Sequence, residues 1–221
     1  MPKEALVRID KHIPFEHAAL FGCGVVTGVG AVINTASARE EDSIAIVGLG
    51  GVGLSALLAS IAIGSKKTIA IDLSNEKLNL AHELGADHIL NPNDANFLER
   101  IRDLTSGGAN IAIETAGSGR ALKTAYDITR RGGTTVAAGM PGPKVDITLS
   151  HLSIAAEERI IKGSYMGSCI AHRDIPKYLD MFQTGKLPVD RLLSRKITFE
   201  DLNAAMDRLD DAKTVREVLI P

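Results

Sequence analysis

The sequence predicts an α/β fold, a doubly wound parallel sheet with helices on both faces. Three observations carry the prediction. Residues 43–72 run from a β-prone stretch, Ser43-Ile44-Ala45-Ile46-Val47, through a glycine turn into a helix-length apolar segment, then through a second β-prone stretch that ends in Asp72. Beyond it, short apolar runs alternate with helix-patterned runs. Glycine-rich loops recur where strands end. Such alternation builds parallel sheets whose ligands lie at the carboxyl ends of the strands.

The turn after the first strand reads Gly48-Leu49-Gly50-Gly51-Val52-Gly53. Gly48 lets the chain turn sharply where a side chain would clash. Gly50 lets the backbone approach a pyrophosphate, and Gly53 lets the new helix pack tightly on the sheet. The first helical N–H groups lack intrahelical partners and carry partial positive charge, which suits phosphates. Asp72 stands 19 residues past Gly53. Its carboxylate can accept hydrogen bonds from both hydroxyls of an adenosine ribose and would repel a 2′-phosphate. Leu73-Ser74-Asn75 bring no arginine to offset that. The reading is a Rossmann dinucleotide-binding unit for NAD rather than NADP.

A glycine cluster alone is weak evidence. Its weight comes from the strand before it, the helix after it and an acid about 20 residues on. A purely structural turn is one alternative. A membrane span is another, because residues 43–65 carry no charge and are long enough to cross a bilayer. Five glycines in that stretch and the lack of flanking aromatics argue against a span.

The remaining elements follow in order. Residues 1–17 are mixed and polar, and residues 16–20 can open a short helix. Residues 21–30 hold four glycines, a density that asks for close approach of helix to helix or of backbone to ligand. Residues 34–42 read as a loop. After Asp72, Ser74 is a plausible N-cap for a helix over 75–84, with Gly85 at its end. A third strand is expected over 88–90, a helix over 97–104, a fourth strand over 109–114 and a helix over 121–128. A fifth strand over 134–138 follows Arg131-Gly132-Gly133, and a sixth is expected over 160–165. Helices are expected over 174–183 and 199–209, with Pro176 early in the first of them, where a missing N–H costs little. A late strand is expected over 214–219.

Composition sets outer bounds. The 221 residues are 45% hydrophobic and 24% charged with a net charge of −2, an ordinary globular balance that gives no broad footprint for nucleic acid. Cys23 and Cys169 are far apart and form no CxxC, so neither a disulfide scaffold nor a four-cysteine zinc site is supported. Lys3, Glu4, Arg8, Asp10 and Lys11 break any apolar leader, which points to the cytoplasm.

Several stretches together resemble the zinc-type medium-chain alcohol dehydrogenases. They are Gly22-Cys23-Gly24 with Thr27-Gly28, the glycine turn with Asp72, Asn75-Glu76-Lys77 with Glu83-Leu84-Gly85-Ala86, Lys162-Gly163-Ser164, and Thr214-Val215-Arg216. The resemblance runs over nearly the whole chain but over only part of the family's architecture. It implies a remnant connection and linking helix over 1–42 and an NAD-binding Rossmann domain over 43–221. The segments that would match the family's first zinc ligands and its proton relay are not found, so the chain is expected to be a fragment, with no catalytic residue of its own and no appreciable turnover alone.

The resemblance implies that Cys23 is one ligand of a catalytic zinc in the longer parent and a free thiol here. Read without it, Cys23 is a small residue in a glycine-packed turn. Thr27 is placed near the nicotinamide, and Val52 behind its ring. Thr115 and Ala116 are placed beside the nicotinamide ribose. Ala138, Gly139 and Met140 are placed at the carboxamide, although Met140 equally suits a core. Tyr165 and Met166 would close that pocket. Lys77 is placed along the adenosine and Arg216 at the pyrophosphate; both also read as solvated surface residues.

The parent reaction implied is reversible hydride transfer between a small alcohol or aldehyde and NAD(H). The partners expected are that substrate and a second copy of the chain, paired through the edge strand near 160–164, with no nucleic acid and no membrane. A zinc-free quinone or enoyl reductase is the nearest alternative, against which Asp72 and Cys23 both speak. A non-catalytic NAD-binding oligomerisation module and, more remotely, a methyltransferase stand beyond it.

Overall fold

The structure, a computed structural model, describes residues 6–208 and 214–220. Six parallel strands form one sheet in the order β3-β2-β1-β4-β5-β6. They are β1 (Ser43–Val47), β2 (Lys67–Ile71), β3 (His88–Leu90), β4 (Ala109–Glu114), β5 (Thr129–Ala137) and β6 (Ile160–Gly163). The crossovers are α3 (Gly51–Ala62), α4 (Asn75–Glu83), α5 (Phe97–Thr105) and α6 (Gly119–Ile128), with α7 (His151–Glu157) between β5 and β6. The doubly wound prediction therefore holds. Strand order reverses between β1 and β4, which opens a crevice at their carboxyl ends.

Every residue of β1 is buried, as a central strand covered on both faces requires. Alternation divides its side chains. Ile44 and Ile46 join the core with Leu54, Leu57 and Leu58 of α3, while Ala45 and Val47 join Phe97 and Ile101 of α5 with Ala125 and Ile128 of α6. The Ser74 hydroxyl caps α4 by accepting from the Lys77 N–H at 3.4 Å.

The glycine-dense stretch becomes α1 (Phe15–Leu20) and α2 (Gly24–Gly30), which runs on as a π turn over Ala31–Thr35. Of the two close approaches expected there, the structure shows backbone on backbone. A Cβ at Gly28 would overlap the Val52 carbonyl in α3, and one at Gly30 would overlap Gly167 in the loop after β6. After that loop come α8 (Ala171–Gln183), β7 (Arg195–Ile197), α9 (Leu202–Asp207) and β8 (Glu217–Leu219).

Several boundaries differ from expectation. The fifth strand begins at Thr129 rather than 134, with Gly132 at φ +65° and a register shift against β4. The arginines and glycines there mask a strand that bulges. Helix α8 opens at Ala171, so Pro176 lies in its second turn, where the missing N–H leaves the exposed His172 carbonyl without its helical donor. The helix expected over 199–209 shrinks to α9, and Leu209 lies outside the described residues. Neither α7 nor β7 was expected. β7 pairs parallel with β8 in a separate two-stranded sheet.

Candidate dinucleotide site

The site is assembled from the ends of β1, β2, β4 and β5. Gly48 leaves β1 at φ +95°, a conformation open to glycine, and Ala116 packs so close that a Cβ there would lie 2.8 Å away. Gly50 follows as the N-cap of α3. It is exposed, and a Cβ on it would meet nothing within 4 Å. Gly53 faces inward: a Cβ there would overlap the Gly48 carbonyl oxygen and sit 2.7 Å from Thr115 Oγ1. The three glycines thus have separate duties, and only Gly50 faces open space.

Arg216 reaches across from the segment before β8. Its guanidinium lies against Gly24 and Gly51, where a Cβ on either would overlap it. A fork of donors therefore stands beside the N-terminus of α3 and its unpartnered N–H groups. Such a pairing of donors and positive charge suits an anion such as a phosphate. Val52, in the first turn of α3, is half-buried.

Asp72 directly follows β2 and is half-buried. Its Oδ2 accepts from the Leu49 N–H at 2.7 Å, and its Oδ1 from the Ser74 N–H at 2.9 Å. The carboxylate thereby ties the glycine turn to the start of α4. Beside it opens a cleft of about 240 Å³, lined by Gly48, Asp72, Lys77, Ala116, Arg120 and Thr124 among others. Lys77 and Asp72 thus share one cavity.

Arg120 was not picked out from the sequence. Its Nη2 donates to Asn93 Oδ1 at 2.8 Å, which holds it on the far wall of the cleft. The usable signal was its place in the first turn of α6, just past a strand's carboxyl end. Although residues 73–75 bring no arginine, the fold brings this one to the same cleft as Asp72.

The other end of the crevice is built by β4 and β5. Thr115 Oγ1 donates to the Gly48 carbonyl at 2.6 Å, which joins β4 to the glycine turn. The Ala138 and Gly139 N–H groups donate to the Glu114 carbonyl at 2.9 and 3.0 Å. Met140 is 77% exposed, so the core alternative fails for its side chain, while its backbone packs on Gly117. Thr27, in α2, is buried; its Oγ1 donates to the Cys23 carbonyl at 2.8 Å and lies 3.8 Å from Met166 Sδ. Met166, Gly167 and Ser168 all have positive φ, a left-handed turn held by Asn34 Nδ2 donating to the Gly167 carbonyl at 3.2 Å.

Cys23 is exposed and precedes α2. Among the described residues, no group of three or more His, Cys, Asp and Glu side chains is placed to hold a metal ion. The residues present therefore do not fit a complete zinc site. Nor is any helix among the described residues long and apolar enough to cross a membrane.

A family model described as zinc-binding dehydrogenase matches residues 51–184. Geraniol dehydrogenase of Castellaniella defragrans is 33% identical over 215 residues, which are 97% of this chain and 57% of that protein. Alcohol dehydrogenase B of Mycobacterium tuberculosis is 35% identical over 222 residues, 98% of this chain and 59% of that one. The structure of benzyl alcohol dehydrogenase from Acinetobacter calcoaceticus matches with a TM-score of 0.93 at 31% identity, over 96% of this chain and 59% of that chain. The chain thus spans somewhat under two thirds of the length of these relatives. With the family model covering more than half of its residues, on the parallel sheet described above, the chain belongs to the zinc-binding dehydrogenase family.

Proposed function

We propose that this chain is the NAD(H)-binding part of an alcohol dehydrogenase, with residues 1–42 as connection and linking helix and 43–221 as the cofactor domain. The observation that carries the reading is one glycine turn with open backbone at Gly50, a guanidinium against Gly51 and the Asp72 carboxylate bonded to the Leu49 N–H beside a cleft. When bound, the nicotinamide accepts or donates a hydride at an alcohol or aldehyde carbon.

The chain's residues bind and orient. The N–H groups at the start of α3 and the Arg216 guanidinium hold the diphosphate. Asp72 accepts from the ribose hydroxyls, and Lys77 lies along the adenosine. Thr27, Val52, Thr115, Ala116, Ala138, Gly139 and Met140 border the nicotinamide half. Cys23 is proposed as one metal ligand of a longer parent. The exposed Ile160 and Ile161 of β6, beside exposed Leu152 and Ile154, support pairing with a second copy through that sheet edge.

Isothermal titration with NADH and NADPH tests the cofactor assignment. Saturable NADH binding with weaker NADPH binding is expected. No NADH binding at millimolar concentration, or a preference for NADPH, would overturn it. Alcohol oxidation by the chain alone would overturn the assignment of catalysis to a longer parent.

A further inference from the structure

Glu114 is an anomaly in the site. It is 2% exposed, at the end of β4, with no side-chain cation among the described residues bonded to it. Its Oε1 accepts from the Gly117 N–H at 2.6 Å, and the backbone N–H groups of Ala116, Ser118 and Gly139 lie near enough to favour its charged form. Those amides come from two separate loops, one after β4 and one after β5. Convergent backbone N–H groups at a helix start form a nest for an anion, and here the protein fills it with its own carboxylate. The packing leaves no slack: a Cβ at Gly139 would overlap the Gly117 nitrogen and lie 2.9 Å from Glu114 Oε1.

We infer that Glu114 is a positioning residue for the nicotinamide half of the site, an internal anion that locks the 138–140 loop onto the 115–118 loop without touching the cofactor. The inference rests on the NAD(H) reading above and adds a division of labour to it. Diphosphate and ribose are held by α3, Arg216 and Asp72, whose contacts described above do not include the Glu114 carboxylate. The 138–140 loop, by contrast, meets the end of β4 at Glu114: the Ala138 and Gly139 N–H groups donate to its carbonyl, and Gly139 packs against its carboxylate. Burial pushes the Glu114 carboxyl above its ordinary value even though the four amides pull it down.

The test compares NADH with ADP-ribose, which lacks the nicotinamide, on wild type and Glu114→Gln. Glutamine keeps the shape but turns an NH₂ toward N–H donors. NADH affinity is expected to fall about tenfold while ADP-ribose affinity changes less than about twofold, because a buried donor left unpaired costs on that order. The blue shift of bound NADH fluorescence should shrink with it. Equal loss of both ligands, or loss of neither, would overturn the positioning role. If wild type binds neither ligand, the cofactor reading itself fails, a separate outcome. Hydrogen exchange on wild type needs no variant: the amides of Gly117 and Gly139 should exchange slowly for loop positions, and rapid exchange at both would overturn the lock.

Discussion

Two glycines three residues apart should respond to the same substitution in opposite ways. Gly53→Ala places a Cβ onto the Gly48 carbonyl oxygen, 2.9 Å from the Gly48 carbonyl carbon and 2.7 Å from Thr115 Oγ1. Two of these three atoms are backbone of the turn that leaves β1, so relief requires α3 to retreat. That retreat disturbs Leu54 and Leu57, both fully buried. Overpacking of this kind costs about 1–3 kcal/mol and more where backbone must move, so about 3 kcal/mol is expected. For a chain of this size that is a fall in Tm of about 6–12 °C. Gly50→Ala meets nothing within 4 Å, and at φ −78° an alanine is unstrained. The weaker N-cap and the lower entropy of the unfolded chain oppose each other, so stability should stay within about 1 kcal/mol. Its methyl instead occupies the space a diphosphate needs. Thermal melts with NADH titrations decide the matter: Gly53→Ala should melt early, and Gly50→Ala should melt normally yet bind NADH at least about tenfold more weakly, the loss of one charge-assisted contact. Normal melting of Gly53→Ala, or undiminished binding by Gly50→Ala, would refute the division of roles.

Other substitutions probe the same site. Arg216→Gln should weaken NADH and ADP-ribose alike by about tenfold or more, and adenosine little, since only the diphosphate loses a partner; titration with all three ligands checks it. Asp72→Asn should weaken NADH by about tenfold and narrow the preference over NADPH, because Lys77 and Arg120 then face a 2′-phosphate without an opposing charge. A pH prediction comes from Tyr178, whose fully buried hydroxyl accepts from Asn34 Nδ2 at 3.0 Å. Burial pushes its pKa from 10.0 up to about 12. The folded value exceeds the unfolded one, so this contribution to stability is complete below pH 10 and is lost as pH rises toward 12. Urea unfolding should therefore show wild type losing ground to Tyr178→Phe above pH 10, and an unchanging difference would refute it.

The sheet from β1 to β4 was legible because each element announces itself locally. Ser43 to Val47 is apolar and β-prone throughout, Ser74 caps α4, and Gly85 terminates it with φ +108°. What escaped depends on partners distant in sequence. β7 exists only through its pairing of Arg195 with Glu217 and Ile197 with Leu219. The start of β5 hides in Arg130-Arg131-Gly132-Gly133, whose strand character comes from the neighbouring β4 and not from its own side chains. Arg120 shows the same limit in the site. Its sequence neighbours mark a helix start, but only the crossover from β4 brings it into the same cleft as Lys77. Glu114 was visible as the last residue of a strand, while its burial under two loops was not.

The coenzyme preference proposed above also rests on a geometry that composition does not reveal. Asp72 is already engaged, with one oxygen on the Leu49 N–H and the other on the Ser74 N–H. Each carboxylate oxygen has two lone pairs, so one remains on each for a ribose hydroxyl. The two backbone bonds fix the direction of those remaining pairs before any ligand arrives, and a hydroxyl donor completes the set. A 2′-phosphate offers no donor at neutral pH and would confront a carboxylate that cannot swing aside without abandoning the glycine turn. Arg120 and Lys77 lie in the same cleft and soften that repulsion without removing it. The proposed preference for NAD thus rests on a carboxylate that the fold itself has aimed, and the charge alone would set it less firmly.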